Sequence, residues 1–188
     1  MNRRQLIKLS LGGAAVVAAA GGVLRVFSGG YRSLLMAGEV PIALSVKEWV
    51  VLKAAVAAML PAEDGFPAGL SLGVPQKIDE EVWAADPGIR DDFKNGLQVL
   101  EHATLGFGHF QRFSALEGAA RREYLERMMN SDNGVLRQVA FAVKELVHLV
   151  YYAQPEVWAV MGYDGPFVKQ AVPPASHLAY AEVLRGRR

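Results

Sequence analysis

Apolar and polar positions along this chain recur with helical spacing and nowhere sustain the period of two that marks a strand. Between residues 49 and 60 the only charge is Lys53, so a helix there should be buried on most sides. Its start is marked by Ser45-Val46-Lys47-Glu48, which has capping-box spacing: a side-chain acceptor at the N-cap and a glutamate three residues later. Pro61 ends it, and residues 62–69 are turn chemistry throughout. A short helix is expected over 75–85. Asp86-Pro87 reads as the N-cap and first residue of the next one. Ile89, Phe93, Leu97 and Leu100 form its apolar stripe, and Gly106-Phe107-Gly108 breaks it. Ser114-Ala115-Leu116-Glu117 repeats the capping-box spacing and predicts a helix running to Met129. After a turn at 131–134 comes the longest helix, over 135–153. Its polar residues Arg137, Gln138, Lys144, Glu145 and His148 share a narrow strip, which predicts a central helix. Pro155 opens a short helix after Gln154, and Gly162 can close it in a left-handed cap. These elements predict an all-α fold, an irregular bundle of about five helices over 45–188. A linker at 25–44 and a signal or anchor segment at 1–24 precede it.

That first segment changes the picture of where the protein works. Residues 1–8 are positively charged, and an uncharged, alanine-rich and glycine-broken stretch runs from Leu9 to Leu24. As a helix it would reach roughly 24 Å, short of the ~30 Å hydrocarbon core, which favours a signal over a spanning helix. Arg3-Arg4, followed by Leu6, Ile7 and Lys8, resembles the twin-arginine motif Ser/Thr-Arg-Arg-x-Phe-Leu-Lys. Asn2 and Leu6 depart from its usual Ser/Thr and Phe. The expected address is the periplasm or the periplasmic face of the inner membrane. Ala18-Ala19-Ala20 offers small residues to a signal peptidase, and a retained leader would instead tether the protein to the membrane.

Charge and composition narrow the classes further. Arg3, Arg4, Lys8 and Arg25 are four of the 20 basic residues, leaving 16 against 19 acidic ones from residue 26 onward, a net charge of −3. The basic character belongs to the leader, and nothing marks a nucleic-acid footprint. The chain has no cysteine, which excludes disulfides, thiolate-held iron–sulfur clusters, cysteine-ligated zinc and c-type haem attachment.

Candidate chemistry is sparse. Glu145-Leu146-Val147-His148 is a Glu-x-x-His, but a ferritin-like di-metal site needs that pair twice, plus two further glutamates. Neither a dinucleotide fingerprint nor a P-loop occurs, and no serine sits in a nucleophile elbow. No catalytic, cofactor-binding or metal-binding residue is therefore assigned to this chain. The informative cluster is aromatic: Tyr151, Tyr152, Pro155, Trp158, Tyr163 and Phe167, with Asp164 and Pro166 in the closing turn. Such residues either cap the bundle or form a protein-binding surface, since Tyr and Trp combine large apolar area with a polar handle.

Tyr151-Tyr152-Ala153-Gln154-Pro155-Glu156-Val157-Trp158, running into Gly162-Tyr163-Asp164-Gly165-Pro166, resembles the C-terminal signature of the gluconate 2-dehydrogenase subunit 3 family. Leu60-Pro61-Ala62-Glu63-Asp64-Gly65, with Gly73-Val74 and Ile78-Asp79 after it, resembles the same family, and the leader agrees. The resemblance spans residues 45–168. It implies a small accessory subunit of a membrane-bound or periplasmic sugar or polyol dehydrogenase. The partner it implies is a large flavoprotein of the glucose–methanol–choline type carrying FAD, often with a cytochrome c subunit. It further implies that the large subunit is exported by the twin-arginine translocase on the small subunit's leader. The aromatic cluster is then the expected partner interface. Two other readings compete: a membrane-tethered scaffold unrelated to oxidoreductases, and an exported metal-dependent enzyme.

Overall fold

The structure, a computed structural model, describes residues 30–166 and 173–187. Seven α-helices occur among them: α1 (Val46–Met59), α2 (Val74–Ala84), α3 (Pro87–His102), α4 (Gly118–Met129), α5 (Gly134–Tyr152), α6 (Pro155–Met161) and α7 (Ala175–Arg187). Short 3-10 turns at Tyr31–Leu34, Ala103–Phe107 and Phe113–Ala115 complete it. The all-α expectation holds. The bundle has more helices than the pattern suggested, because α7 turns only Tyr180 fully inward and so leaves no visible apolar stripe. None of the described helices is long and apolar enough to cross a membrane.

α1 begins at the expected box: the Ser45 side chain accepts from the Glu48 N–H, and the Glu48 carboxylate takes the Ser45 N–H at 2.7 Å. Such a cap contributes about 1 kcal/mol. Trp49, Val51, Leu52, Ala55 and Val56 are buried on successive faces of α1, so no single side of it looks outward. It packs against α2, α3, α4 and α5. Asp86 precedes Pro87 at the start of α3 but makes no side-chain cap. Instead the Arg90 guanidinium reaches back to the carbonyls of Val82, Trp83 and Ala85 at the C-terminal end of α2. A cation there answers orphan carbonyls and the helix dipole together.

Three expectations need correction on physical grounds. Ser114 does not cap a helix; it lies in a 3-10 turn, α4 starts at Gly118, and the N-cap Glu117 makes no side-chain cap. Ser114 is used by Glu101, which is fully buried and accepts from the Ser114 N–H at 2.8 Å, its hydroxyl at 2.7 Å and the Tyr31 hydroxyl at 2.6 Å. A buried carboxylate without donors costs far more than a missing helix cap, so the tertiary demand wins. α5 is the central helix, packing against α1, α2, α3, α4 and α6, but its wide apolar face is only partly buried. Ala140, Val143, Val147, Val150 and Tyr151 face inward, whereas Val135, Phe141, Leu149 and Tyr152 are exposed. The stripe on α3 divides too: Leu97 and Leu100 are buried, but Ile89 is 63% exposed.

Residues 30–44, within the stretch read as a linker, pack onto the helices as a strap. Tyr31 and Leu44 are buried, and a second buried carboxylate holds the strap's far end. Asp79 on α2, fully buried, accepts from the N–H groups of Ile42 at 2.7 Å, Ala43 at 3.1 Å and Leu44 at 2.8 Å. The Tyr180 hydroxyl of α7 completes the set at 2.8 Å. Burial, and then the Asp79 carboxylate, push the Tyr180 phenol upward from its ordinary range, keeping it a donor. Burial followed by Glu101 does the same to Tyr31.

Near Glu101, the Lys47 ammonium donates to the Gln98 side-chain carbonyl and stands 2.7 Å from His102 Nε2. Burial, reinforced by Lys47 and then Arg112, lowers the His102 pKa from 6.5 to about 4. The neutral ring can then accept from the lysine.

Removing the Asp79 carboxylate leaves three backbone donors and a phenol unanswered. Asp79→Ala should therefore lower the unfolding free energy by about 3 kcal/mol and abolish hydrogen-exchange protection at Ile42, Ala43 and Leu44. Unchanged protection there would refute the role given to Asp79. His102 sets a pH dependence. Between pH 6.5 and about 4 the unfolded chain binds the His102 proton and the native protein does not, so stability contributed by this site falls as pH falls through that window. His102→Gln should flatten the decline of the urea midpoint over the same range, and parallel curves for the two proteins would contradict it.

Candidate functional site

The two segments carrying the family resemblance are far apart in the chain and meet on one face. Residues 63–66 form a tight hairpin: Phe66 N–H donates to Glu63 O at 2.8 Å, and Glu63 N–H returns the bond at 3.3 Å. Both central residues are left-handed, Asp64 at φ 51° and Gly65 at φ 83°, as a type I′ turn requires and as Asp-Gly favours. The turn sits against α6, with the Gly65 Cβ position 4.0 Å from Val160. The Tyr151 hydroxyl donates to the Pro67 carbonyl at 2.8 Å and ties the hairpin to the end of α5. Between them lies a cleft of about 220 Å³ lined by Leu60, Pro61, Phe66, Tyr151 and Tyr152 together with Glu63 and Asp64.

α6 is held by its own aromatic clasp. Gln154, which precedes it, is buried; it accepts from the Lys77 ammonium of α2 and donates to the Val150 carbonyl. Trp158 Nε1–H donates to the Tyr152 carbonyl at 2.7 Å. After Gly162 ends the helix in the left-handed region, Tyr163 N–H closes back on Trp158 O at 2.9 Å, the six-to-one bond of a Schellman cap. The Tyr163 ring then stands edge-on to Trp158, centroids 5.6 Å apart. Gly165, at φ 98°, lies so close to the indole that a Cβ would meet it at 3.0 Å, which leaves glycine as the residue that fits.

The structure sorts the expected interface residues. Tyr152 (46% exposed) and Tyr163 (47%) look outward, as do Pro155, Asp164 and Pro166, while Trp158 is half-buried. Tyr151 is corrected to the core: it is buried with its hydroxyl consumed by Pro67, because its position on α5 is set by the inward row Val143, Val147 and Val150. Arg3, Arg4, Leu6, Lys8 and Phe167 lie outside the described residues. Three apolar neighbours were missed, Leu149 (70% exposed), Met161 (52%) and Val160 (40%). The i, i+3 relation of Leu149 to Tyr152 on α5 was the signal that could have found the first.

Chemistry elsewhere is thin among the described residues. No group of three or more His, Asp or Glu side chains converges as metal ligands would. His148 is engaged locally, its Nδ1 2.8 Å from the Lys144 carbonyl. A larger groove of about 530 Å³ lies between α3 and α5, lined mainly by apolar residues such as Ile89, Phe93, Val139 and Leu146, and its one charged lining residue is Asp92. The arrangement can therefore bind apolar surface, and the face around Tyr152 and Tyr163 is where aromatic area, a built cleft and both family segments coincide.

Residues 46–165 match the family model described as gluconate 2-dehydrogenase subunit 3. No curated protein and no solved structure gives a significant match. The matched span opens at the first residue of α1 and closes at Gly165, so it contains the hairpin, the cleft and the aromatic clasp. The chain belongs to the gluconate 2-dehydrogenase subunit 3 family, and so to the subunits of a dehydrogenase complex.

Proposed function

We propose that this protein is the non-catalytic small subunit of a periplasmic or membrane-associated sugar or polyol dehydrogenase. Its large partner is a flavoprotein of the glucose–methanol–choline type, which carries FAD and performs the oxidation; a cytochrome c subunit can complete the assembly. The observation that carries the reading is the convergence of residues 60–67 and 151–166 on one exposed aromatic face. Residues needed only for the fold would point inward, as Tyr151 does. Tyr152, Met161 and Tyr163 instead present apolar area to solvent beside a cleft, which is the makeup of a contact surface.

The leader supplies the second role. Arg3, Arg4 and Lys8 match the twin-arginine pattern, with Leu6 in place of its Phe, and would engage the translocase. That pathway moves folded cargo, so a partner docked in the cytoplasm would cross with the small subunit. FAD, which must be inserted before export, belongs with the partner in this scheme.

The test is purification of the protein, tagged at its C-terminus, from its native host. A larger chain with a flavin absorption band is expected to accompany it, and that complex should oxidise a sugar or polyol. A colourless lone chain would overturn the proposal. Replacing Arg3 and Arg4 together by lysine should leave both proteins in the cytoplasm, as read by fractionation. Export of the flavoprotein undiminished by that change would contradict the leader's role.

A further inference from the structure

Resting on that reading, we infer that the segment of the flavoprotein that docks here is cationic: a stretch bearing arginine or lysine around an apolar side chain that enters the cleft between hairpin and α5. The face is aromatic at its centre and acidic along the hairpin and α6. Glu63 and Asp64 line the cleft, and Glu156 and Asp164 are exposed on α6 and the turn after it. Neither residues 54–76 nor residues 145–167 contain a lysine or arginine. Among the described residues, no side chain bonds to or pairs with these four carboxylates. The bases Arg122 and Lys144 line a neighbouring pocket that shares Met59 with this cleft. Lys77 donates to the buried Gln154 amide, and the Lys144 ammonium stands over the Phe141 ring, 5.9 Å from its centroid.

A surface that served only to stay soluble would interleave both signs. The four carboxylates on the hairpin, α6 and the turn after it have no side-chain partner among the described residues, and a docked cationic segment would supply one. The turn places them well: the left-handed backbone of Asp64 and Gly65 projects the hairpin tip beside α6. An arginine suits these groups best, since its planar fork pairs with carboxylate while its face stacks on tyrosine. The same sign repels anionic lipid and nucleic acid, so the occupant is protein. Charge of this kind acts chiefly on the speed and specificity of docking, the aromatic centre on its persistence.

The experiment uses the full chain with the flavoprotein that co-purifies with it. Binding is measured in about 0.05 M and about 0.5 M sodium chloride, concentrations that bracket the screening of exposed charges. The variant carries Glu63→Gln, Asp64→Asn, Glu156→Gln and Asp164→Asn; asparagine tolerates the left-handed backbone at 64. A control carries Asp91→Asn and Asp92→Asn on the exposed side of α3, matching the change in kind away from the face. The wild-type dissociation constant should rise at least about tenfold with salt, and the four-fold variant should bind about tenfold more weakly at low salt with a flat salt response. The control should behave as wild type. A variant that binds with wild-type affinity and salt response overturns the inference while leaving the accessory-subunit reading intact. If the variant does not fold, as judged by its thermal midpoint, the wild-type salt series decides alone, and a salt-independent dissociation constant overturns the inference. No flavoprotein retained by the wild-type chain would remove the reading and the inference together.

Discussion

A carboxylate cut off from water must have its lone pairs answered by the protein, and the architecture follows from how Asp79 is answered. Its donors come from two parts of the chain that flank the family-matched core. The backbone of Ile42, Ala43 and Leu44 arrives from the strap, and the Tyr180 hydroxyl from α7. One side chain on α2 thereby fixes where the chain enters the bundle and where its last helix lies. Glu101 repeats the device at the strap's first residues, taking Tyr31 and Ser114, with the Arg112 guanidinium 4.1 Å over the Tyr31 ring. Hydrogen bonds to buried charge are stronger than neutral ones and costly to leave unmade. The strap is therefore held at both ends, and Gly30 leaves the fold from a defined place.

Features fixed by neighbouring residues were legible in the sequence. The Ser45 box, the all-α class, the Pro155 start and the Gly162 stop each depend on residues within one helical turn. What eluded the sequence depends on groups brought together from a distance. Ser114 and Glu117 satisfy a local capping rule, yet the serine belongs to Glu101. Tyr151 and Tyr152 are adjacent aromatics, and only the packing of α5 shows that one is core and the other surface. Asp79 stood in a recognised motif, but its role needed the strap, which reads as a glycine-punctuated linker. The site was half legible for the same reason: each family segment is visible alone, and their meeting is a tertiary fact.

Apolar side chains are divided between the two sides of α5. The inward row Val143, Val147 and Val150 builds the core, while Leu149 and Tyr152 extend the face that α6 and the hairpin complete. Rigidity on that face comes from unusual backbone at Asp64 and Gly65 and from the Trp158–Gly165 contact. On the proposed function, contact side chains that are already placed would lose little entropy on docking.

On the proposed function, the face built from residues 60–67 and 151–166 is the one a flavoprotein covers. Hydrogen exchange compared between the free chain and the purified complex tests that most directly. The account predicts new protection in those two segments, with the groove between α3 and α5 unchanged. Protection confined to that groove, with the hairpin and α6 exchanging as in the free chain, would contradict it.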